Sequence, residues 1–159
     1  MTIAPIRKTV TVAAPPERVF ALFTGHMGAW WPKGMTVGAA PMVEVVIEPH
    51  AGGRWFERSE DRAETNWGRV LEWEPPHRVL LAWQLDATFT YDPDFETELE
   101  LTFTPEGAGT RVEMEHRNLE RFGDSAEKMA ASLGGGWPGI IDGFAAYAEK
   151  QEAGKGAAS

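Results

Sequence analysis

"FETELELTF", residues 95–103, sets Phe95, Thr97, Leu99, Leu101 and Phe103 on one side of an extended chain and Glu96, Glu98 and Glu100 on the other. A period of two marks a strand with one covered face and one face in water. The chain therefore needs a sheet with an apolar side, and something to lay over that side.

The same period recurs on both flanks. "MVEVVIEP" (42–49), "GRWFERS" (53–59), "TNWGRVLEWEP" (65–75), "HRVLLAWQL" (77–85) and "TRVEMEHRN" (110–118) read as further strands, with "HAGG", "EPPH" and "PEGAG" as turns. Connections this short join antiparallel neighbours, because a parallel pair needs a long crossover. The β-branched "IRKTVTVAA" (6–14) fits a first strand. After it, "PPERVFALFTG" (15–25) has a proline pair at a helix start and Val19, Phe20, Leu22 and Phe23 at helical spacing. "HMGAWW" (26–31) fits a short second helix ended by Pro32.

The cover for the sheet is "SAEKMAASLGGGWPGIIDGFAAYAEKQE" (125–152), where Met129, Leu133, Trp137, Ile140, Ile141, Phe144 and Ala148 recur in steps of three and four. Its middle is poor helix material, since Pro138 cannot donate to the Gly134 carbonyl and its ring crowds that group. The expectation is a short helix over 124–133, a break or sharp kink at Gly134–Gly136, and a main helix from Trp137 to about Lys150. On this reading the glycines either let the backbone pass close to the sheet at the edge of a pocket, where the preceding segment could move as a gate, or mark only a helix boundary. The whole is an α+β fold in the order β-α-α-β6-α, with residues 1–151 as a single domain and 152–159 as a disordered tail.

Composition narrows the function. Twenty-four acidic against fifteen basic residues give a net charge of −9, which argues against nucleic acid and anionic membrane surfaces. No cysteine is present, which removes disulfides, thiolate metal sites and a cysteine nucleophile. No apolar run suggests a leader or a membrane span, so a cytoplasmic protein is expected. His26, His50, His77 and His116 form no His-x-His or HExxH motif, Ser59, Ser125 and Ser132 lack a nucleophile-elbow setting, and "GAGT" (107–110) and "GGG" (134–136) lack a phosphate-loop lysine. No metal and no cofactor are expected. Arg54, Arg58 and Arg62 could steer an anionic ligand, but interleaved with Glu57, Glu60 and Asp61 they read first as a solvated hairpin tip.

His116 is the polar residue of most interest. Alternation puts Val112, Met114 and His116 on the apolar side of their strand. There the imidazole is a candidate general acid or base, or a strand-end residue bonding a nearby carbonyl.

"VAAPPERVFALFT", "WWP", "GGRWFE", "WGRVLEWEPPHRVLLAW", "GTRVEMEH" and "GGWPGIIDGFAAY" resemble, in order, the recurrent segments of a bacterial branch of the START-like (SRPBCC) superfamily, the branch related to the activator of the ninety-kilodalton heat-shock protein's ATPase. The resemblance covers Ile6 to Tyr147 and implies a helix-grip fold, in which a curved antiparallel sheet wraps the C-terminal helix around a cavity for an apolar or amphipathic small molecule. The wall residues it implies are Trp30, Trp31, Trp83, Met114, His116, Trp137, Ile141 and Phe144. Three functions stay open on that scaffold. They are a ligand-binding protein, a cyclase, lyase or hydrolase acting on a polyketide-like substrate with His116 moving a proton, and an interaction domain for a chaperone ATPase. A homodimer is compatible with each.

Overall fold

The structure, a computed structural model, describes residues 3–32 and 35–157. Seven strands form one antiparallel sheet: β1 (Ile6–Val12), β2 (Met42–Ile47), β3 (Arg54–Ser59), β4 (Glu64–Glu74), β5 (Arg78–Trp83), β6 (Thr97–Glu106) and β7 (Gly109–Arg117). Their order is β1-β7-β6-β5-β4-β3-β2, a meander from β2 to β7 with β1 added beside β7. Two helices, α1 (Pro16–Gly25) and α2 (Met27–Trp30), lie between the first two strands, and α3 (Ala126–Ala157) follows the last. This is the helix-grip architecture, a curled sheet closed by a long C-terminal helix.

Alternation explains which face is which. In β6, Thr97, Leu99, Leu101 and Phe103 are all buried, while Glu98 and Glu100 point outward. There Arg117 bonds Glu98 at 3.0 Å and Glu100 at 3.1 Å, and Arg78 bonds Glu72 at 2.6 Å and also Glu100. Cross-strand ion pairs of this partly exposed kind add a few tenths of a kcal/mol each, and they occupy the outer face with compensated charge. The inner face meets α3 through Leu133, Trp137, Ile140, Ile141, Phe144 and Ala148, all buried. Gly68 in β4 is needed for the pairing with β5, because a Cβ there would stand 1.7 Å from the Ala82 carbonyl oxygen.

The expected break at Gly134–Gly136 does not occur. Helix α3 runs unbroken from Ala126 to Ala157, through Pro138 and on into the segment 152–157, with 158–159 outside the described residues. The chain turns instead at Gly123 (φ 66°, ψ −130°), inside a 3-10 stretch over Leu119–Ser125. A local rule about proline loses here to docking of the whole apolar stripe on the sheet. Glycine, free of a Cβ, is also the residue best able to absorb a displaced carbonyl one turn before the proline. Nor do the glycines serve close approach to the sheet. A Cβ on Gly135 or Gly136 would meet nothing within 4 Å, and one on Gly134 would meet only Ile6 Cγ1 at 4.0 Å.

Candidate functional site

Five of the seven tryptophans close a circuit inside the sheet. Ring centroids are 4.9 Å apart for Trp31–Trp67, 5.6 Å for Trp67–Trp55, 5.9 Å for Trp55–Trp83, 5.8 Å for Trp83–Trp137 and 5.9 Å for Trp137–Trp31. Most of these contacts are edge to face, the arrangement that the ring quadrupole favours. Indole N–H groups must also be satisfied. Trp31 donates to the Met35 carbonyl (2.7 Å), Trp55 to the Met27 sulfur (3.3 Å), Trp67 to Glu57 Oε1 (2.8 Å) and Trp137 to His116 Nδ1 (3.1 Å), while buried Trp83 Nε1 has no protein partner among the described residues.

Four of these indoles, Trp31, Trp67, Trp83 and Trp137, wall a cavity of ≈ 340 Å³ between the sheet and α3. The segment before β2 contributes Met35, Thr36 and Val37, and the chain after β5 contributes Leu85 and Phe89. Helix α3 closes it with Ser132, Leu133, Gly136 and Ile140. Among the described residues, no lining side chain is charged, and the hydroxyls are those of Thr36 and Ser132. Gly136 thus has a spatial role, since a side chain there would occupy the cavity. The volume is at the small end of ligand sites, which run from about 300 Å³ upward.

The mouth is framed by two exposed apolar side chains, Met35 and Phe89. Phe89 has φ 57°, a left-handed backbone rare for an aromatic residue. A tight turn holds it there, in which the Asp86 carboxylate accepts from Thr88 Oγ1 (2.7 Å), Thr88 N (2.9 Å) and Thr90 N (3.1 Å). The Thr88 hydroxyl and these backbone donors hold the Asp86 carboxyl below its usual range.

His116 is placed by strand register. Trp83 pairs with Thr97 across β5–β6 and Leu99 pairs with His116 across β6–β7, so Thr97 and His116 are diagonal neighbours on the inner face. The Trp137 N–H can only donate, so His116 Nδ1 accepts, and the ring proton sits on Nε2 facing Thr97 Oγ1 at 2.8 Å. The imidazole is fully buried, and burial pushes its pKa down to about 3. It is therefore a neutral ring in a fixed tautomer, with both nitrogens engaged, and it does not line the cavity. In this geometry it supports Trp137, and the carbonyl expected as its partner is replaced by a hydroxyl and an indole.

The remaining residues implied by resemblance divide between wall and filling. Trp31, Trp83 and Trp137 line the cavity. Helix α2 ends between the two adjacent tryptophans, so Trp30 turns away and packs at 4.9 Å on Phe23 and 5.0 Å on Phe144, with its N–H on the Leu22 carbonyl (3.3 Å). Phe144, Ile141 and Met114 are buried in the same core. Sequence reasoning passed over Trp67, Leu85, Phe89 and Ile140 as wall residues.

It also took Glu57 for part of a solvated tip. Arg54 and Arg58 are indeed outside, paired with Glu64 at 3.0 and 3.1 Å, but Glu57 is fully buried. In β3 it shares the inner face with Trp55 and Ser59, and that spacing of two was the available signal. Among the described residues, no three His, Asp or Glu side chains are grouped as a metal site would need, and no helix is long and apolar enough to cross a membrane.

The family described as activator of Hsp90 ATPase homolog 1-like protein matches residues 13–149. Among solved structures, an anthrahydroquino-γ-pyrone synthase, Txn09, complexed with SUM, is 38% identical with a TM-score of 0.64, covering 91% of this chain and 96% of its own. CalC, a self-sacrificing resistance protein from Micromonospora echinospora, is 28% identical with a TM-score of 0.67, covering 92% and 95%. Protein NE0264 from Nitrosomonas europaea, 16% identical with a TM-score of 0.67 over 96% and 99%, shares the fold alone. No curated protein matches the chain.

Proposed function

Because this chain belongs to the family of activator of Hsp90 ATPase homolog 1-like proteins, a fold that serves many functions, its own function has to be argued from its cavity, and we propose that it binds a neutral, planar, fused-ring aromatic molecule there. The observation that carries this reading is the uncharged wall of four indoles around ≈ 340 Å³. Flat rigid rings lose little entropy on contact and suit a flat ligand, whereas a charged ligand would leave its charge unpaired. The name of the 38% identical synthase, a γ-pyrone fused to an anthrahydroquinone, supports the same class.

Titration with 9-phenanthrol, a neutral three-ring probe, is expected to give a calorimetric Kd on the order of 10 µM and a raised melting temperature. No heat and no shift up to the probe's solubility limit would sink the reading. Phe89→Gly tests the rim. Relief of the left-handed strain should leave the melting temperature equal or higher by a few degrees, while loss of the ring weakens the probe about tenfold. Unchanged affinity would remove Phe89 from the site.

A second reading is favoured by the 38% identity to a synthase: ring formation on an aromatic polyketide held in the same cavity. Its contribution would be to fold and orient the substrate. It differs from binding in one measurable way, the consumption of an open-chain aromatic polyketide supplied in large excess over the protein.

A further inference from the structure

Glu57 has no cationic partner among the described residues, although it is fully buried. A carboxylate in that position is destabilising unless its oxygens are satisfied. Only one is. Glu57 Oε1 accepts from Val37 N at 2.5 Å and from Trp67 Nε1 at 2.8 Å, while among the described residues Oε2 has no partner, and neither has the nearby buried Ser59 hydroxyl. Both donors belong to residues that line the cavity. The carboxylate therefore lies directly behind the wall, between the Trp67 ring and the Val37 backbone. Gly38 packs directly on this group: a Cβ there would lie 3.1 Å from Glu57 Oε2, 3.0 Å from Ser59 Oγ and 3.2 Å from Thr65 Oγ1.

We propose that Glu57 is the polar contact of the cavity, its carboxylate accepting a hydrogen bond from a hydroxyl on the aromatic ligand in the place that the Val37 N–H occupies in the free protein. This rests on the reading of the cavity as a site for fused-ring aromatics and names what selects among them. Val37 belongs to a stretch outside any helix or strand, so exchanging its N–H for a ligand hydroxyl disturbs no regular structure. The exchange substitutes an O–H···O⁻ bond for an N–H···O⁻ one, both of them charge-assisted. A carboxylate behind a wall whose described side chains are uncharged disfavours anionic ligands, and the net charge of −9 acts in the same direction. The selected class is a fused-ring aromatic with a neutral hydroxyl at one edge.

The test compares 9-phenanthrol with 9-methoxyphenanthrene, which keeps the rings and removes the donor, by calorimetry on wild-type protein and on Glu57→Gln. Wild type is expected to prefer the phenol by about tenfold, as one hydrogen bond to a charged acceptor provides. Glu57→Gln keeps an acceptor for Val37 and Trp67 and removes the buried charge, so it should melt higher than wild type while its preference for the phenol falls to about twofold or less. Wild type binding both probes equally would overturn the role of Glu57 and leave the aromatic site standing. Binding neither would overturn the site and this inference together. Should Glu57→Gln not fold, Glu57→Asp, which withdraws the carboxylate by one methylene, takes its place, and a full preference for the phenol retained in the folded variant overturns the proposal.

Discussion

Trp137→Ala is expected to destabilise the protein by about 4 kcal/mol or more and to abolish binding of the phenanthrene probe. Trp137 is 2% exposed, and truncating a buried aromatic residue of this size costs about 3–5 kcal/mol. The change also orphans His116 Nδ1 in the interior, a further penalty of about 1–3 kcal/mol. For a chain of this length the melting temperature should drop by roughly 10–15 °C. Trp137→Phe separates the two contributions. It keeps a ring against Trp31 and Trp83 but loses the N–H, so it should lose only the second part of the stability and retain measurable binding. If the alanine and phenylalanine variants were equally impaired, the ring would be no part of the wall's function.

The second large effect is a loss of stability in acid that traces to His116. In the unfolded chain a histidine titrates near 6.5, whereas burial puts this one near 3 in the folded chain. Between those values the unfolded chain holds a proton that the folded chain does not. Stability therefore falls as pH falls, by about 1.4 kcal/mol per pH unit from this group, and is fully present above pH 6.5. Carboxylates held low by their partners, such as Asp86, add to the fall at the acid end. His116→Gln isolates the histidine, because glutamine can accept from Trp137 and donate to Thr97 without titrating. Denaturant midpoints measured from pH 7 to pH 4 should decline less steeply for the glutamine variant. Parallel declines in the two proteins would show that His116 is not held neutral.

The sheet was legible because its period is set by residues next to one another in the chain. Thr97, Leu99 and Leu101 alternate with glutamates whatever lies beyond them, and Val112, Met114 and His116 do the same. The partners of His116 were not legible, since Thr97 and Trp137 are brought to it by the β5–β6–β7 register and by α3. Trp30 and Trp31 could not be told apart until the end of α2 was placed between them. Glu57 was a reading error rather than a gap. Its alternation with Trp55 and Ser59 pointed inward, and the charges on either side concealed it. The continuity of α3 failed for the opposite reason, a strong local rule being applied where distant packing decides.

That continuity has a thermodynamic corollary. Residues 134–143 contain five glycines and Pro138, which make this stretch about 8 kcal/mol less favourable as helix than alanine would be. Cut out as a peptide, it would be coil. Its helical state is lent by the burial of Leu133, Trp137, Ile140, Ile141 and Phe144 on the sheet. The wall that faces the cavity is thus a conditional helix, ordered only while the indoles beneath it are in place, and α3 and the sheet form one cooperative unit through their least self-sufficient turn.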